Sequence, residues 1–518
     1  MLTKVSYSLI TGAPINVLDY GADSTGATNS ATAIQNALNT GAPEVFLPAG
    51  SYLLNSVLTL SPLQRIVGEN STLIIGSVLC GAGTANNTPI ITMAERSAIS
   101  GFIFKTQTQP VINATTTSPV VHPYCIGVNG CSYTTIQNVD FLACWRGVVA
   151  GNSADHECMT IQNMRGTIFE TPIYIDQNTD VDRLLDIQLN PTYAVYYGGT
   201  GNFTSDAITA YQRNTVGANA FTILKADWLQ MNNCFAYGYK RGMLLQAGTG
   251  TVSGSATVSV SNSGFDGSEN CIVSTSVINA SFDNVTLAAT QLASETVTGV
   301  VISGDGSFQF NNCFFIGNAY YATNINTSGS VSLVNCQITD HYEGVVVIAG
   351  RINLDTVIFK QAGGTVYDIN LSGTASANIR NCRRYDGTAS VNNGITATTC
   401  PTTYENGSTN TSYLPFFAAV GAASVEISPT LIASATTYYF ATLPAGDANY
   451  LVYAGQNVST NGVYRAIAYV RTGSSTSTVS VLANNGITIV VSGLQVGVTN
   501  SAGGDLNVDF GYLKLYQA

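Results

Sequence analysis

Through the middle of the chain, apolar and polar residues alternate for a short run, reach an Asn, and resume in the opposite phase. Phe308 and Phe310 share a phase with Asn312, whereas Cys313 and Phe315 occupy the other. Successive side chains of a strand point to opposite faces, so a run cannot change phase without a bend. The pattern therefore predicts a corner between two sheets at each Asn, with the side-chain amide bonding to the Asn of the next coil. The same unit recurs at Asn138, Asn163, Asn233, Asn262, Asn284, Asn335 and Asn381, and Asp186 and Asp355 replace Asn in two further copies. From Asn262 to Asn381 successive markers lie 22, 28, 23, 20 and 26 residues apart. Such uneven spacing is foreign to helical repeats and natural for coils joined by loops of variable length, so it predicts a parallel β-solenoid. Nine residues after the marker, Gly147, Gly242 and Gly344 recur before an apolar strand, where Gly would permit a second corner. The 70 residues from Asn163 to Asn233 exceed what their coils need and predict an insertion at 190–220, rich in Tyr and turn formers.

Beyond Cys400 and Pro401 the pattern changes. Short alternating runs such as TYYFATL, NYLVYAG and VYRAIAYVRT, parted by Gly, Asn, Ser or Pro, predict a C-terminal antiparallel β-sandwich. Helical spacing appears at 30–40, where Ala31, Ile34 and Leu38 follow Asn29 or Ser30 as the cap. Composition sharpens this all-β reading. Of 518 residues only 9% are charged while 45% are hydrophobic, which excludes intrinsic disorder. A formal net charge of −11 with only 19 basic residues is wrong for a phosphate backbone, so no nucleic-acid partner is expected. No apolar run is long enough for membrane insertion, and the N-terminus lacks the apolar core of a signal peptide, so synthesis in the cytoplasm is expected. The 11 cysteines read as reduced core residues. Cys234, Cys313, Cys336 and Cys382 share one repeat position and predict a column of small buried thiols.

Three N-terminal words carry the most specific information: Val17-Leu18-Asp19-Tyr20-Gly21-Ala22-Asp23, Thr32-Ala33-Ile34-Gln35 and Leu47-Pro48-Ala49-Gly50-Ser51-Tyr52. In this order and spacing the chain resembles the opening of the pectate-lyase-superfamily β-helix found in bacteriophage tailspikes. The strict motifs cover 17–54, and the coil pattern carries the similarity onward to the end of the repeats. The resemblance implies an N-terminal attachment peptide over 1–16 and a cap with the short helix over 17–58. A right-handed parallel β-helix over 59–400 and the β-sandwich over 401–518, serving trimerisation or glycan binding, would follow. It further implies a homotrimer in the virion tail, joined through its N-terminus to a tail or baseplate protein. Such a spike is made in the host cytoplasm and acts at the bacterial cell surface, where it binds and often depolymerises capsule or O-antigen polysaccharide. So little chain precedes the motif that the large head-binding domain of some tailspikes is not expected. The paired-Asp, Gly-His-Gly and Arg-x-Lys series of polygalacturonases is missing, as is the Arg and calcium-Asp set of pectate lyases. The reaction is therefore not carried over with the fold, and no cofactor is expected.

Hydrolysis of a glycosidic bond uses an acid and a second carboxylate, about 5–5.5 Å apart for retention or roughly 6.5–9.5 Å for inversion. Asp266 and Glu269 share one turn, four and seven residues after Asn262, and are the leading catalytic candidates, with Glu170 and Asp206 beside them. Arg146 and Arg241 both fall eight residues after their marker. With Glu170, Lys240, Glu269, Asn318 and Glu343 they align on one side of the solenoid, a polar face suited to a polysaccharide. Tyr193 and Tyr197 in the insertion, and Trp228 after it, offer flat rings to sugar faces. Substrate binding is thus assigned to Arg146, Tyr193, Tyr197, Trp228, Lys240, Arg241 and Glu343. Asp176, Asp180, Asp182, Arg183 and Asp186 form a second cluster before the insertion, whose Tyr rings beside these carboxylates would wall a glycan groove, and Asp186 is expected in the corner ladder. Endo-glycosidic hydrolysis is the preferred chemistry. Uronate β-elimination, with Arg146, Arg165 or Arg241 as the cation, and a spike that binds without cutting are the alternatives. His122, His156 and His341 lack the spacing of a zinc site, so no metal is expected, and His341 is placed on a surface turn.

Overall fold

The computed structural model describes residues 14–384 apart from 82–87, 199–200, 251–253, 255, 277, 292–296, 318 and 361–366, together with 391–395, 403–405 and the strands between 424 and 515. The chain divides into two compact units. One holds Met1–Arg351, Val357–Ser372 and Val391–Gly394, and the other Ile352–Thr356, Gly373–Ser390 and Ile395–Ala518.

The first unit opens with the motif words folded into a cap. Asn16 Oδ1 accepts the Leu18 N–H at 2.9 Å at the head of a 3₁₀ turn, Val17–Tyr20, which Gly21 closes at φ 87°. Asp23 then accepts the N–H and the hydroxyl of both Thr25 and Thr28, between 2.6 and 2.9 Å. This turn delivers the chain to helix α1 (Ala31–Leu38), where Asn29 Oδ1 accepts the Ala31 N–H at 3.1 Å and Ala31, Ile34, Ala37 and Leu38 are buried. The expected cap and helix face are both present.

Three parallel sheets wind from this cap. In the first, Ile66, Ile99, Ile136, Ile161, Leu184, Met231, Val260, Phe282, Phe310 and Leu333 stand in register from coil to coil, all of them buried. Where two rings are neighbours they stack, Phe282 on Phe310 at 4.8 Å between centroids and, in the second sheet, Phe104 on Phe141 at 5.1 Å. Each such side chain contributes about 1.5–3 kcal/mol by leaving water. Because every coil buries its inner face only against its neighbours, the stack carries the stability.

The first corner is the predicted one, with a conformational reason that the pattern did not reveal. Asn138, Asn163, Asp186, Asn233, Asn262, Asn284, Asn312, Asn335 and Asn381 all take a left-handed φ between 48° and 56°. Asn and Asp tolerate this conformation better than other L-residues. Asp355 is the exception: Thr356 beside it takes the left-handed position, at 56°. The amide ladder forms in pairs. Asn163 Nδ2 donates to Asn138 at 2.7 Å, Asn233 to Asp186 at 2.8 Å and Asn284 to Asn262 at 2.9 Å, whereas Asn312 reaches Asp283 at 2.9 Å. The glycines of the other corner have a different reason from the expected turn. Gly147, Gly242 and Gly344 are not among the positive-φ glycines. A Cβ on each would lie 2.3 Å from Pro172 O, 2.7 Å from Cys271 O and 2.3 Å from Asp368 O. Close approach of the next coil, not backbone freedom, selects Gly there. The thiol column also forms: Cys234, Cys313, Cys336 and Cys382 are free and buried, and Cys313 and Cys336 point at Phe282 O (3.5 Å) and Phe310 O (3.3 Å) of the preceding coil.

The insertion lies where predicted but is helical: α2 (Pro191–Gly198), α3 (Ser205–Ala210) and a π-helical turn, Tyr211–Val216. Ala194, Phe203, Ile208 and Tyr211 pack on Ile112, Ala143, Trp145 and Phe169 of the coils below. Tyr reads as turn or strand by propensity, and burial of this apolar face overrides it.

In the second unit, Asn378 Nδ2 donates to Asn353 at 2.9 Å and Asn381 Nδ2 to Asp355 at 3.4 Å, continuing the coil pattern. Two antiparallel sheets follow. One has five strands in the order Ser424–Ile432, Leu506–Leu515, Ala448–Gln456, Arg465–Thr472, Ser477–Ala483, and the other has Thr437–Thr442, Gln495–Asn500, Ile487–Ser492. The strand Ile487–Ser492 packs on the five-stranded sheet and buries Ile489, which makes the predicted sandwich. Among the described residues no helix is long and apolar enough to cross a membrane.

Candidate functional site

The strand Gly264–Ser268 places Asp266 in register with Tyr237 and Ala288 of the adjoining coils. Half-buried there, Asp266 loses hydration, which pushes its carboxyl above the usual range against a bond from the Gly267 N–H. Glu269 stands at the following corner, where its N–H donates to Tyr239 O at 3.4 Å and its Oε2 lies 3.6 Å from Lys240 Nζ. Arg241, the next residue, donates to Asn219 Oδ1 at 3.0 Å and is in register with Asn270. The corner therefore gathers Lys240, Arg241 and Glu269, with Asp266 on the strand that leads into it, four of the residues singled out from the sequence. Arg213, for which no motif or spacing is a signal, fixes the insertion onto the same corner. It is fully buried and donates from Nη1 to Gly267 O at 3.1 Å and from Nη2 to Thr290 O at 2.7 Å. Gln212 beside it donates to Ile168 O at 2.8 Å.

Glu170 and Arg146 are also together, in a bidentate pair through Nε and Nη2, with side chains 24% and 14% exposed. The guanidinium lies 5.1 Å from the centroid of the Tyr124 ring. Burial and the Glu170 charge push up the phenol of Tyr211, a residue of the insertion, so the pair lies at the insertion's edge. Asp206 is exposed in the first turn of α3, where its charge complements the helix N-terminus. Trp228 is 51% exposed on the first sheet, in register with Val181. Glu343 Oε2 accepts the Asn370 amide at 2.8 Å, close to a cluster in which the Tyr320 ring lies 4.6 Å from Tyr321 and 4.5 Å from Tyr342. Asn318 lies outside the described residues.

Of the carboxylates before the insertion, Asp180 is exposed and accepts the Val181 N–H at 2.7 Å, whereas Asp176 and Asp182 are buried. Asp176 is buried and accepts the N–H groups of Gln177, Lys225 and Thr249 and the Thr249 hydroxyl. Asp182 is buried against His156 at 2.8 Å and also accepts the Met159 N–H. These acids hold loops, and Asp186 belongs to the ladder as expected. His341 is buried, not on a surface turn, and desolvation pushes its imidazole down to about 4. His122 approaches Cys125 and Cys144 within 4.8 Å, a buried trio with metal-ligand chemistry. However, His122 Nδ1 lies 2.6 Å from Pro123 O, which can only accept, so Nδ1 carries the proton. Nε2 accepts the Trp145 N–H at 2.8 Å. Both ring nitrogens are occupied and the imidazole has no lone pair to offer.

The stacked coils bring a further pair of carboxylates, Glu69 and Asp140, to one cleft. This cleft of about 350 Å³ is lined by residues including Glu69, Asn70, Phe102, Ile103, Asn138, Asp140, Asn163 and Arg165. Arg165 donates from Nε and Nη2 to the two oxygens of Asp140, at 3.1 Å each, and the Tyr193 hydroxyl donates to Asp140 Oδ2 at 2.7 Å. Tyr193 rests on Tyr197 with 4.6 Å between centroids. The signal was available: Asp140 and Arg165 each stand two residues after a marker Asn, so consecutive coils place them side by side. Glu69 had no such signal, because its coil breaks register between Val67 and Ser71.

Residues 14–244 match the family described as rhamnogalacturonase A/epimerase, pectate lyase-like. The motif words at 17–54 lie inside this span. Comparison with curated proteins finds no match. Among solved structures, a mutant tailspike of the E. coli bacteriophage HK620 in complex with a pentasaccharide is similar, with a TM-score of 0.51, 11% identity and coverage of 99% of this chain and 97% of that one. Tailspike protein 3 of bacteriophage CBA120 is similar at a TM-score of 0.50 and 11% identity over 76% of this chain, which spans 61% of that protein. At these identities the likeness is one of fold: a tailspike-like β-helix.

Proposed function

We propose that this protein is a phage tailspike that binds a bacterial surface polysaccharide, capsule or O-antigen, and cuts it within the chain by hydrolysis. The observation that carries the reading is a pair of carboxylates in different surroundings: Asp266, on the strand Gly264–Ser268, is desolvated and pushed up, and Glu269, at the corner that follows, is paired with Lys240. A desolvated carboxyl beside an ion-paired one suits the two roles of acid and second carboxylate. Asp266 gives its proton to the leaving glycosidic oxygen, and Glu269 supports attack at the anomeric carbon. Lys240 and Arg241 hold the sugar chain, and Arg146 and Glu343 continue the polar row on the coils before and after them. The fold of the HK620 tailspike, crystallised with a pentasaccharide, supports a glycan as ligand. The resemblance to tailspikes supports a homotrimer in the virion tail, attached through its N-terminus and acting at the cell surface.

Asp266→Asn and Glu269→Gln are each expected to lower the cleavage rate by about 10²–10⁴-fold while leaving polysaccharide binding intact, measured by reducing ends and by co-sedimentation on cells. Full activity in both variants would remove this pair from the chemistry. Because Glu269 and Glu170 are both ion-paired, a spike that binds without cutting is the second reading, favoured if the wild-type protein binds a polysaccharide and leaves its length unchanged.

A further inference from the structure

The cleft at Asp140 is built differently from the Asp266–Glu269 pair and lies well away from it. Along the second sheet Asp140 is in register with Arg165, Arg165 with Gln188, Gln188 with Phe235 and Phe235 with Gly264. Four rungs at ~4.8 Å put the two places roughly 19 Å apart along the stack. The cleft has the volume of a small-ligand site, about 350 Å³. Buried Phe102 and half-buried Ile103 are its apolar residues, and the rest of the lining is polar or glycine. Its polar groups are held in place before any ligand arrives. Arg165 grips Asp140 at both oxygens, Tyr193 donates to the same carboxylate, and Asn163 Nδ2 donates to Asn138 Oδ1. Asn138 Nδ2 and Asn163 Oδ1 then offer one donor and one acceptor toward the cleft.

Two aromatic rings stand beside the lining residues, joined to them at Asp140. Tyr193 is anchored by its hydroxyl, Tyr197 leans on it at 4.6 Å, and Tyr197 is 70% exposed. An exposed ring braced from behind, beside a fixed row of donors and acceptors, suits the flat apolar face and equatorial hydroxyls of a pyranose. The charge balance narrows the choice: the carboxylates of Glu69 and Asp140 face one guanidinium, that of Arg165. The remaining negative charge repels a uronate.

We propose that this cleft is a second carbohydrate site, distinct from the Asp266–Glu269 pair, that holds a neutral or N-acetylated hexose against Tyr197. It does not depend on the pair being catalytic. Saturation-transfer NMR of the full chain with the methyl glycosides of glucose, galactose, mannose and N-acetylglucosamine, and with methyl glucuronide, tests it. Transfer to at least one neutral or N-acetylated glycoside is expected, with none to the glucuronide. The signal falls at least tenfold in Tyr197→Ala, whose exposed ring is not needed for folding, and in Asp140→Asn, and it persists in Glu269→Gln. No transfer to any neutral glycoside, equal transfer to the glucuronide, an unchanged signal in Tyr197→Ala, or its loss in Glu269→Gln would overturn the proposal.

Discussion

A left-handed backbone position costs an ordinary L-residue about 1–2 kcal/mol, so a marker Asn that also bonds across to the neighbouring coil is held by two separate effects, its own conformational tolerance and that amide bond. Asn284 separates them, with φ at 54° and its Nδ2 bonded to Asn262. Asn284→Gly loses only the amide bond and is expected to cost about 1 kcal/mol. Asn284→Ala adds the strained backbone and is expected to cost about 2–3 kcal/mol. Denaturant melts of the two variants read the difference, and equal losses would assign the whole preference to the side chain. His341 provides a pH test. Its imidazole is pushed from 6.5 down to about 4 by burial, so the folded protein keeps it neutral while the unfolded chain takes up a proton as pH falls through 6.5. Its contribution is thus fully present above pH 6.5 and is lost toward pH 4, on the order of 3 kcal/mol in all. His341→Gln should melt with a flatter pH dependence in that window, and parallel curves would contradict the assignment. Both cases mark what single residues disclose. The Asn corners were legible because a phase change in the hydrophobic pattern is local, whereas the burial of His341, which read as a turn residue beside Asp340 and Glu343, depends on coils far away in the sequence.

At the scale of elements, the coils were legible and the insertion was legible only as an interruption. Its two helices and π-helical turn answer to the apolar surface at Trp145 and Phe169, which no window of the sequence contains. Arg213 is the clearest case: an Arg in a polar stretch is normally solvated, yet here it crosses to carbonyls 54 and 77 residues further along. Those two carbonyls make it a clamp between the insertion and the Asp266 corner. Arg213→Met is expected to leave Gly267 O and Thr290 O buried without these donors, at about 1–3 kcal/mol for each. Limited proteolysis should then cut within 190–218 well before the coils. Cleavage at the wild-type rate would show that the apolar face alone holds the insertion.

At the scale of the whole molecule, the solenoid and the motif words at 17–54 disclosed the architecture because repetition writes the same physical constraint many times over. The site was legible in part. Asp266, Glu269, Lys240 and Arg241 come together as their places in the repeat suggested, but Arg146 and Glu170 are paired with each other, and the Asp140 cleft emerges only once the coils are stacked. The central claim is that the assembled spike cuts a surface polysaccharide by hydrolysis. The direct measurement is to incubate the purified protein with capsule and lipopolysaccharide from a panel of bacteria, following chain length, reducing ends and ultraviolet absorbance together. Hydrolysis predicts shortened chains and new reducing ends at constant absorbance on at least one polysaccharide. Binding at unchanged chain length, or shortening accompanied by the absorbance of an unsaturated uronate, would contradict it.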